Sequence, residues 1–90
     1  MTIDNISRID RLVTCIVNTE ANQCNGADHI LKKACEHLRQ SKLHYIMERD
    51  QLTRSIFVRR ALTVVRLSEN ADNFSLACSG RQLTSYLENA

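Results

Sequence analysis

The sequence predicts an all-α fold, a small bundle of about four helices that forms one domain over residues 1–90. The chain has 90 residues, which suffices for one core. It contains no Pro and only two Gly, whereas β folds need many turn residues. Apolar residues make up 43% of the chain, as is typical of folded domains. They recur at helical spacing in four segments, near residues 4–18, 28–49, 53–68 and 74–88.

The first helix is predicted over residues 4–18, with Asp4 as its N-cap. Placed at about 100° per residue, the apolar side chains of this segment form one stripe. That stripe consists of Ile6, Ile9, Leu12, Val13, Ile16 and Val17. Residues 18–27 form the clearest break, because Asn25-Gly26 favours a turn. Asp28 stands where the N-cap of the next helix is expected.

The second helix is predicted over residues 28–49, with a turn at Gln40-Ser41 as the alternative that would give two shorter helices. Its stripe is Ile30, Leu31, Ala34, Cys35, Leu38, Tyr45 and Ile46, and only Lys42 interrupts it. Leu43 and Met47 lie off this stripe, one helical turn apart. They indicate a second contact surface, unless another helix of the same core covers them.

The third segment, residues 53–68, is rich in residues that also favour strands. Strand alternation would mix Arg and Thr with apolar residues on each face, so the periodicity favours a helix. Its apolar face consists of Phe57, Val58, Ala61, Leu62, Val64 and Val65.

The fourth helix, residues 74–88, follows a polar connector in which Asp72 is the predicted N-cap. It presents Leu76, Leu83, Tyr86 and Leu87. Gly80 lies inside it at a cost of roughly 1 kcal/mol in helix propensity, and a split into two short helices is the alternative.

Charge is distributed unevenly along the chain. The formal net charge is +2, yet residues 29–67 carry nine basic and three acidic residues, and the segments on either side are each net acidic. Within the third helix, Arg54, Arg59, Arg60 and Arg66 have no acidic neighbour between residues 53 and 68. This asymmetry constrains the choice of partner more than the net charge does.

The N-terminal residues lack the features of a secretory signal, and no run of about 18 apolar residues is present. These observations predict a cytoplasmic protein that is not inserted in a membrane. The four cysteines form no Cys-x-x-Cys pair, so we expect reduced thiols rather than a zinc ribbon.

No motif in the chain indicates catalysis. A phosphate-binding Gly-rich loop, a Ser/His/Asp pattern and paired carboxylates are all missing. His37 and His44 are seven residues apart on one helical face, but a metal site would need a third ligand there. We therefore expect a non-enzymatic protein without a metal or another cofactor.

Two short segments resemble known families. His29-Ile30-Leu31-Lys32-Lys33-Ala34 resembles the His-x-Leu-Lys-Gly-Ser/Ala segment of histidine phosphotransfer domains. That resemblance implies phosphorylation of His29, with Lys32 stabilising the charge, although Lys33 replaces the glycine. Residues 52–62, LTRSIFVRRAL, resemble the second helix of ribbon–helix–helix DNA-binding proteins. The base-reading strand of that family would lie near residues 28–33, where this sequence predicts a helix.

These observations predict a small cytosolic protein-binding module, an adaptor, chaperone or regulator. It would dock through an apolar stripe and a basic helix face. The partner-binding residues expected are Leu43, Met47, Arg54, Ile56, Arg59, Arg60, Arg66 and Leu67. The alternative is a dimeric DNA-binding transcriptional regulator that uses the basic helix at residues 53–68 to contact phosphates. A homodimer stays open in either case, and a merely solvated basic face is the simplest interpretation.

Overall fold

Four α-helices make up nearly all of the chain in the computed structural model, which describes residues 3–23 and 29–89, with side chains for 6–20 and 29–89. The helices are α1 (Ile3–Gln23), α2 (His29–Glu48), α3 (Gln51–Asn70) and α4 (Phe74–Asn89). The described residues contain no strand, so the all-α prediction is confirmed. All four predicted helices are present.

The predicted ends of the first helix need two corrections. Helix α1 continues to Gln23, so residues 18–23 of the predicted break are helical. This extension is compatible with its sequence, because no Gly or Pro occurs before residue 26. Asp4 lies within α1 and is not its N-cap. The predicted turn at Asn25-Gly26 and the predicted cap Asp28 lie outside the described residues.

Helix α2 is continuous, so the alternative turn at Gln40-Ser41 is wrong. The hydroxyl group of Ser41 has a hydrogen-bond partner within the helix, because its Oγ donates to the carbonyl of His37 at 2.8 Å. Lys42, the one interruption of the apolar stripe, is buried and forms an ion pair with Asp10 of α1. The Nζ–Oδ1 distance is 2.6 Å.

The connection between α3 and α4 explains why Asp72 is not the N-cap of α4. Asp72 has a φ of 56° and ends α3 in a Schellman motif. In this motif the N–H of Asn73 donates to Ser68 at 2.8 Å and the N–H of Asp72 donates to Glu69 at 3.1 Å. The cap of α4 is instead Asn73, whose Oδ1 accepts from the N–H of Leu76 at 3.2 Å.

The helices form a closed ring in which each packs against the next and α1 packs against α4. The described part of the chain measures 36 × 18 × 17 Å, as expected for a short bundle. The buried core is drawn from all four helices. It contains Ile9, Val13, Ile16, Leu31, Ala34, Cys35, Leu38, Tyr45, Phe57, Ala61, Val64, Leu76, Leu83 and Leu87.

Two residues predicted to lie on apolar faces are exposed instead. Ile30 is 68% exposed and Leu62 is 41% exposed. Each lies at the edge of its helical stripe, about 100° from a buried neighbour, where the adjacent helix no longer covers it. The remaining residues of the predicted stripes are buried or half-buried.

Candidate partner-binding surface

Helices α2 and α3 are joined by a two-residue turn that fixes their ends. Arg49 has a φ of 54° and caps α2, its N–H donating to the carbonyl of Tyr45 at 2.8 Å. Asp50 is the N-cap of α3, and its Oδ1 accepts from the N–H of Thr53 at 2.8 Å and from Thr53 Oγ1 at 2.7 Å. These hydrogen bonds from Thr53 hold the pKa of Asp50 below its ordinary value of 3.8.

Large apolar side chains are exposed around this turn. Leu43 and Met47, one turn apart on the outer face of α2, are 51% and 76% exposed. Leu52 and Ile56, one turn apart on α3, are 69% and 37% exposed. All four lie within two helical turns of the α2–α3 connection. We call this set the hairpin-end patch.

The patch differs in two residues from the apolar set predicted from the sequence. Leu52 was missed, although its spacing of four from Ile56 and its position off the buried face of α3 are visible in the sequence. Leu67 is partly buried and packs against the core, so it does not contribute an exposed surface. Leu43, Met47 and Ile56 are exposed as predicted.

Arg54 bridges two helices. Its Nη2 donates a hydrogen bond to the carbonyl of Leu87 in α4, and the residue is half-buried. Carbonyls in the last turn of a helix lack a partner within the helix, and a guanidinium supplies one. Arg54 therefore connects the start of α3 to the end of α4, which uses part of its hydrogen-bonding capacity within the protein.

The other three arginines of α3 are exposed but do not share a single face. Arg59 and Arg66 are seven residues apart and lie together on the outer face of the helix. Arg60 follows Arg59 in the chain and lies about 100° further round the helix. The predicted basic face is thus a pair of arginines with a third at its edge.

These three guanidinium groups carry uncompensated charge. Among the described residues, ion pairs within 4.0 Å join only Lys42 to Asp10 and Arg81 to Glu69. Glu69 is the acidic residue of α3, and its partner Arg81 lies 3.0 Å away on α4. The outer surface of α3 consequently presents three arginines that have no ion-pair partner among the described residues.

A shallow groove of about 450 Å³ runs between α3 and α4 beside Arg59. Val58 and Leu62 supply its apolar wall, and Glu88 of α4 stands on the opposite side. The groove extends the accessible apolar surface of α3 beyond the hairpin-end patch.

The described residues include no group of three His, Cys, Asp or Glu side chains arranged to hold a metal ion. His37 and His44 are exposed on α2, and His29 is exposed at its start. Cys15 and Cys78 are free, exposed thiols, whereas Cys35 is buried in the core. No described helix is both long and apolar enough to cross a membrane.

Residues 29–33, which correspond to most of the strand position in the ribbon–helix–helix resemblance, are helical here. The described residues therefore lack the base-reading ribbon of that family. Comparison of the chain with protein-family models, with curated proteins and with solved structures gives no significant match.

Proposed function

We propose that this protein is a small non-enzymatic protein-binding module, an adaptor, chaperone or regulator. It docks on its partner through the hairpin-end patch and the neighbouring arginines of α3. The exposure of large apolar side chains near one turn supports this proposal. Seven large apolar residues are exposed in the described part of the chain, and four of them surround the α2–α3 turn. Clustered apolar exposure on a small protein is typical of a surface that another molecule covers.

The local structure makes this surface suitable for docking. The Asp50 cap and the left-handed conformation of Arg49 fix the backbone of the turn. Binding of a partner therefore costs little backbone conformational entropy. Met47 is an unbranched, adaptable side chain that fits irregular apolar surfaces. Arg59 and Arg66 then favour a partner whose apolar contact is bordered by acidic residues.

The proposal is tested by affinity capture from an extract of the source organism, with variants of the patch as bait. Replacing both Leu43 and Met47 by Ser is expected to reduce the captured partner about tenfold or more, because apolar anchors dominate binding energy. Replacing Arg59 and Arg66 by Glu is expected to lower capture and its dependence on salt.

Matched controls come from exposed positions away from the proposed surface. Ile30→Ser removes an exposed apolar side chain from the other end of α2, and Arg11→Glu reverses an exposed charge on α1. Both are expected to retain the partner. Identical capture by the wild type and by the Leu43→Ser/Met47→Ser variant contradicts the proposal.

The alternative is a DNA-binding regulator, for which the exposed, unpaired Arg59, Arg60 and Arg66 are the favouring observation. A gel-shift titration with duplex DNA separates the two functions. DNA binding predicts micromolar or better affinity that falls steeply with salt and is lost in Arg59→Glu/Arg66→Glu. It also predicts no effect of Leu43→Ser. Absence of binding at about 50 mM salt excludes this alternative.

A further inference from the structure

A cleft of about 320 Å³ opens between α1 and α2, on another side of the bundle from α3. Its lining includes Val17, Glu20, Lys32, Cys35, Glu36 and Arg39. Val17, Glu20 and Cys35 are buried or half-buried and form the floor, whereas the other three are exposed and form the rim. The volume is at the lower end of the range for small-molecule sites.

Glu20 is the unusual residue of this cleft, because it is only 7% exposed yet carries a charge. Among the described residues, no ion-pair partner lies within 4.0 Å of its carboxylate and no hydrogen bond to its oxygens is formed. The described residues contain no fully buried side-chain oxygen that lacks a partner. The Glu20 oxygens are therefore accessible from the cleft. An enclosed carboxylate without a partner among the described residues is left to interact with a molecule that enters the cleft.

The rim also carries charges that do not neutralise one another. Lys32 and Arg39 are cationic and Glu36 is anionic, yet none of them lies within 4.0 Å of an oppositely charged group in the described structure. Lys32 and Glu36 are four residues apart, a spacing at which ion pairs commonly form on a helix. The cleft thus has two cationic groups, Lys32 and Arg39, and one carboxylate, Glu36, at its rim, and the Glu20 carboxylate in its floor.

We propose that this cleft binds a free α-amino acid with an apolar side chain. The ligand ammonium group is bound by Glu20 in the floor, its carboxylate by Lys32 and Arg39 at the rim, and its side chain packs on Val17. A ligand with only a positive charge would be repelled by Lys32 and Arg39. One with only a negative charge would be repelled by Glu20 and Glu36. A zwitterion supplies an oppositely charged partner to groups of both signs in the cleft.

Nuclear magnetic resonance titration of the full ¹⁵N-labelled chain with L-leucine tests this site. We expect saturable shifts of the amides of Glu20, Lys32 and Arg39, with a Kd of about 1 mM or lower. Isoamylamine and 4-methylpentanoate, which keep the alkyl chain but only one charge each, are expected to bind about tenfold more weakly or worse.

The Glu20→Gln and Arg39→Met variants are each expected to weaken L-leucine binding about tenfold. Glu48→Gln, which changes an exposed carboxylate of α2 outside the cleft, serves as the matched control and keeps full affinity. Thermal unfolding checks that Glu20→Gln is folded, and its Tm should equal or exceed that of the wild type. No saturable shift up to about 10 mM, equal binding of isoamylamine, or unchanged affinity of Glu20→Gln overturns the proposal.

Discussion

Gly80 allows a close approach of α4 to α3, because a Cβ at this position would lie 2.6 Å from Cγ2 of Val65. From the sequence alone, a glycine inside a helix indicates only a loss of propensity or a break. The structure shows a continuous α4, with Gly80 buried against Val65. Its lack of a side chain is thus a packing requirement of the α3–α4 interface.

We expect Gly80→Ala to destabilise the protein by about 1 kcal/mol. Overpacking costs about 1–3 kcal/mol, which outweighs the gain of about 1 kcal/mol in helix propensity. Val65 is β-branched and cannot easily rotate its methyl group away. Urea unfolding followed by circular dichroism measures the change.

The same substitution in a Val65→Ala background is expected to be neutral or stabilising, because the clashing methyl group is gone. Gln82→Ala, at an exposed position of the same helix, controls for propensity alone. A single Gly80→Ala variant, with Val65 unchanged, that is more stable than the wild type would contradict this prediction. It would show that the α3–α4 interface accommodates the added methyl group without a loss of stability.

At the scale of helices, the sequence predicted the existence and the buried faces of all four helices. Apolar residues that recur about every 3.6 positions indicate a helix, and this pattern can be seen within each segment of the chain. The predicted cap of α4, Asp72, was the wrong one of two adjacent residues. Asp72 and Asn73 are both good caps, and the choice follows from the Schellman motif that ends α3 at Asp72. The N-cap of α4 therefore depends on the way in which α3 ends, and not on the sequence of α4 alone.

The candidate site was predicted only in part for a similar reason. Leu43, Met47 and Ile56 stand off their helical stripes, so their exposure follows from the sequence. The bond between Arg54 and the carbonyl of Leu87 joins residues 33 apart in the chain, and no local pattern indicates it. Likewise, the cleft around Glu20 exists only after α1 and α2 have packed.

The cap at Asp50 predicts a specific dependence of stability on pH. Hydrogen bonds from Thr53 hold the pKa of Asp50 below 3.8, so this cap stabilises the folded state above that pH. The contribution is lost as the pH falls through the lower, folded-state pKa. We expect the stability of the wild type relative to Asp50→Asn to decrease on acidification below about pH 4.

Chemical unfolding at several pH values between neutral and strongly acidic measures this difference. Asn retains the capping geometry without the titrating group, so the comparison isolates the charge. Glu88→Gln, which changes an exposed carboxylate on α4, controls for general effects of acid. A difference between wild type and Asp50→Asn that stays constant with pH would contradict the assignment of the cap.

At the scale of the whole molecule, α1 closes the ring by packing against both α2 and α4. On the α4 side, the guanidinium of Arg8 lies 5.1 Å from the centroid of the Tyr86 ring. On the α2 side, Lys42 pairs with Asp10 at 2.6 Å. The two partners differ in environment, since the Lys42 side chain is 10% exposed and that of Asp10 is 57% exposed. Closure of the bundle thus places a buried cation against a half-exposed carboxylate.

This asymmetry predicts unequal effects of removing either partner. Asp10→Ala leaves a buried ammonium group without its partner and is expected to cost about 1–3 kcal/mol, below the value for a fully buried pair. Lys42→Met removes the buried charge and keeps an apolar side chain of similar length, so its cost is expected to lie within about 1 kcal/mol of zero. The double variant should resemble Lys42→Met. Urea unfolding measures the two costs. Equal destabilisation by the two single variants would contradict this prediction. It would show that the attraction within the ion pair, rather than the cost of a buried lysine without a partner, determines the effect of each variant.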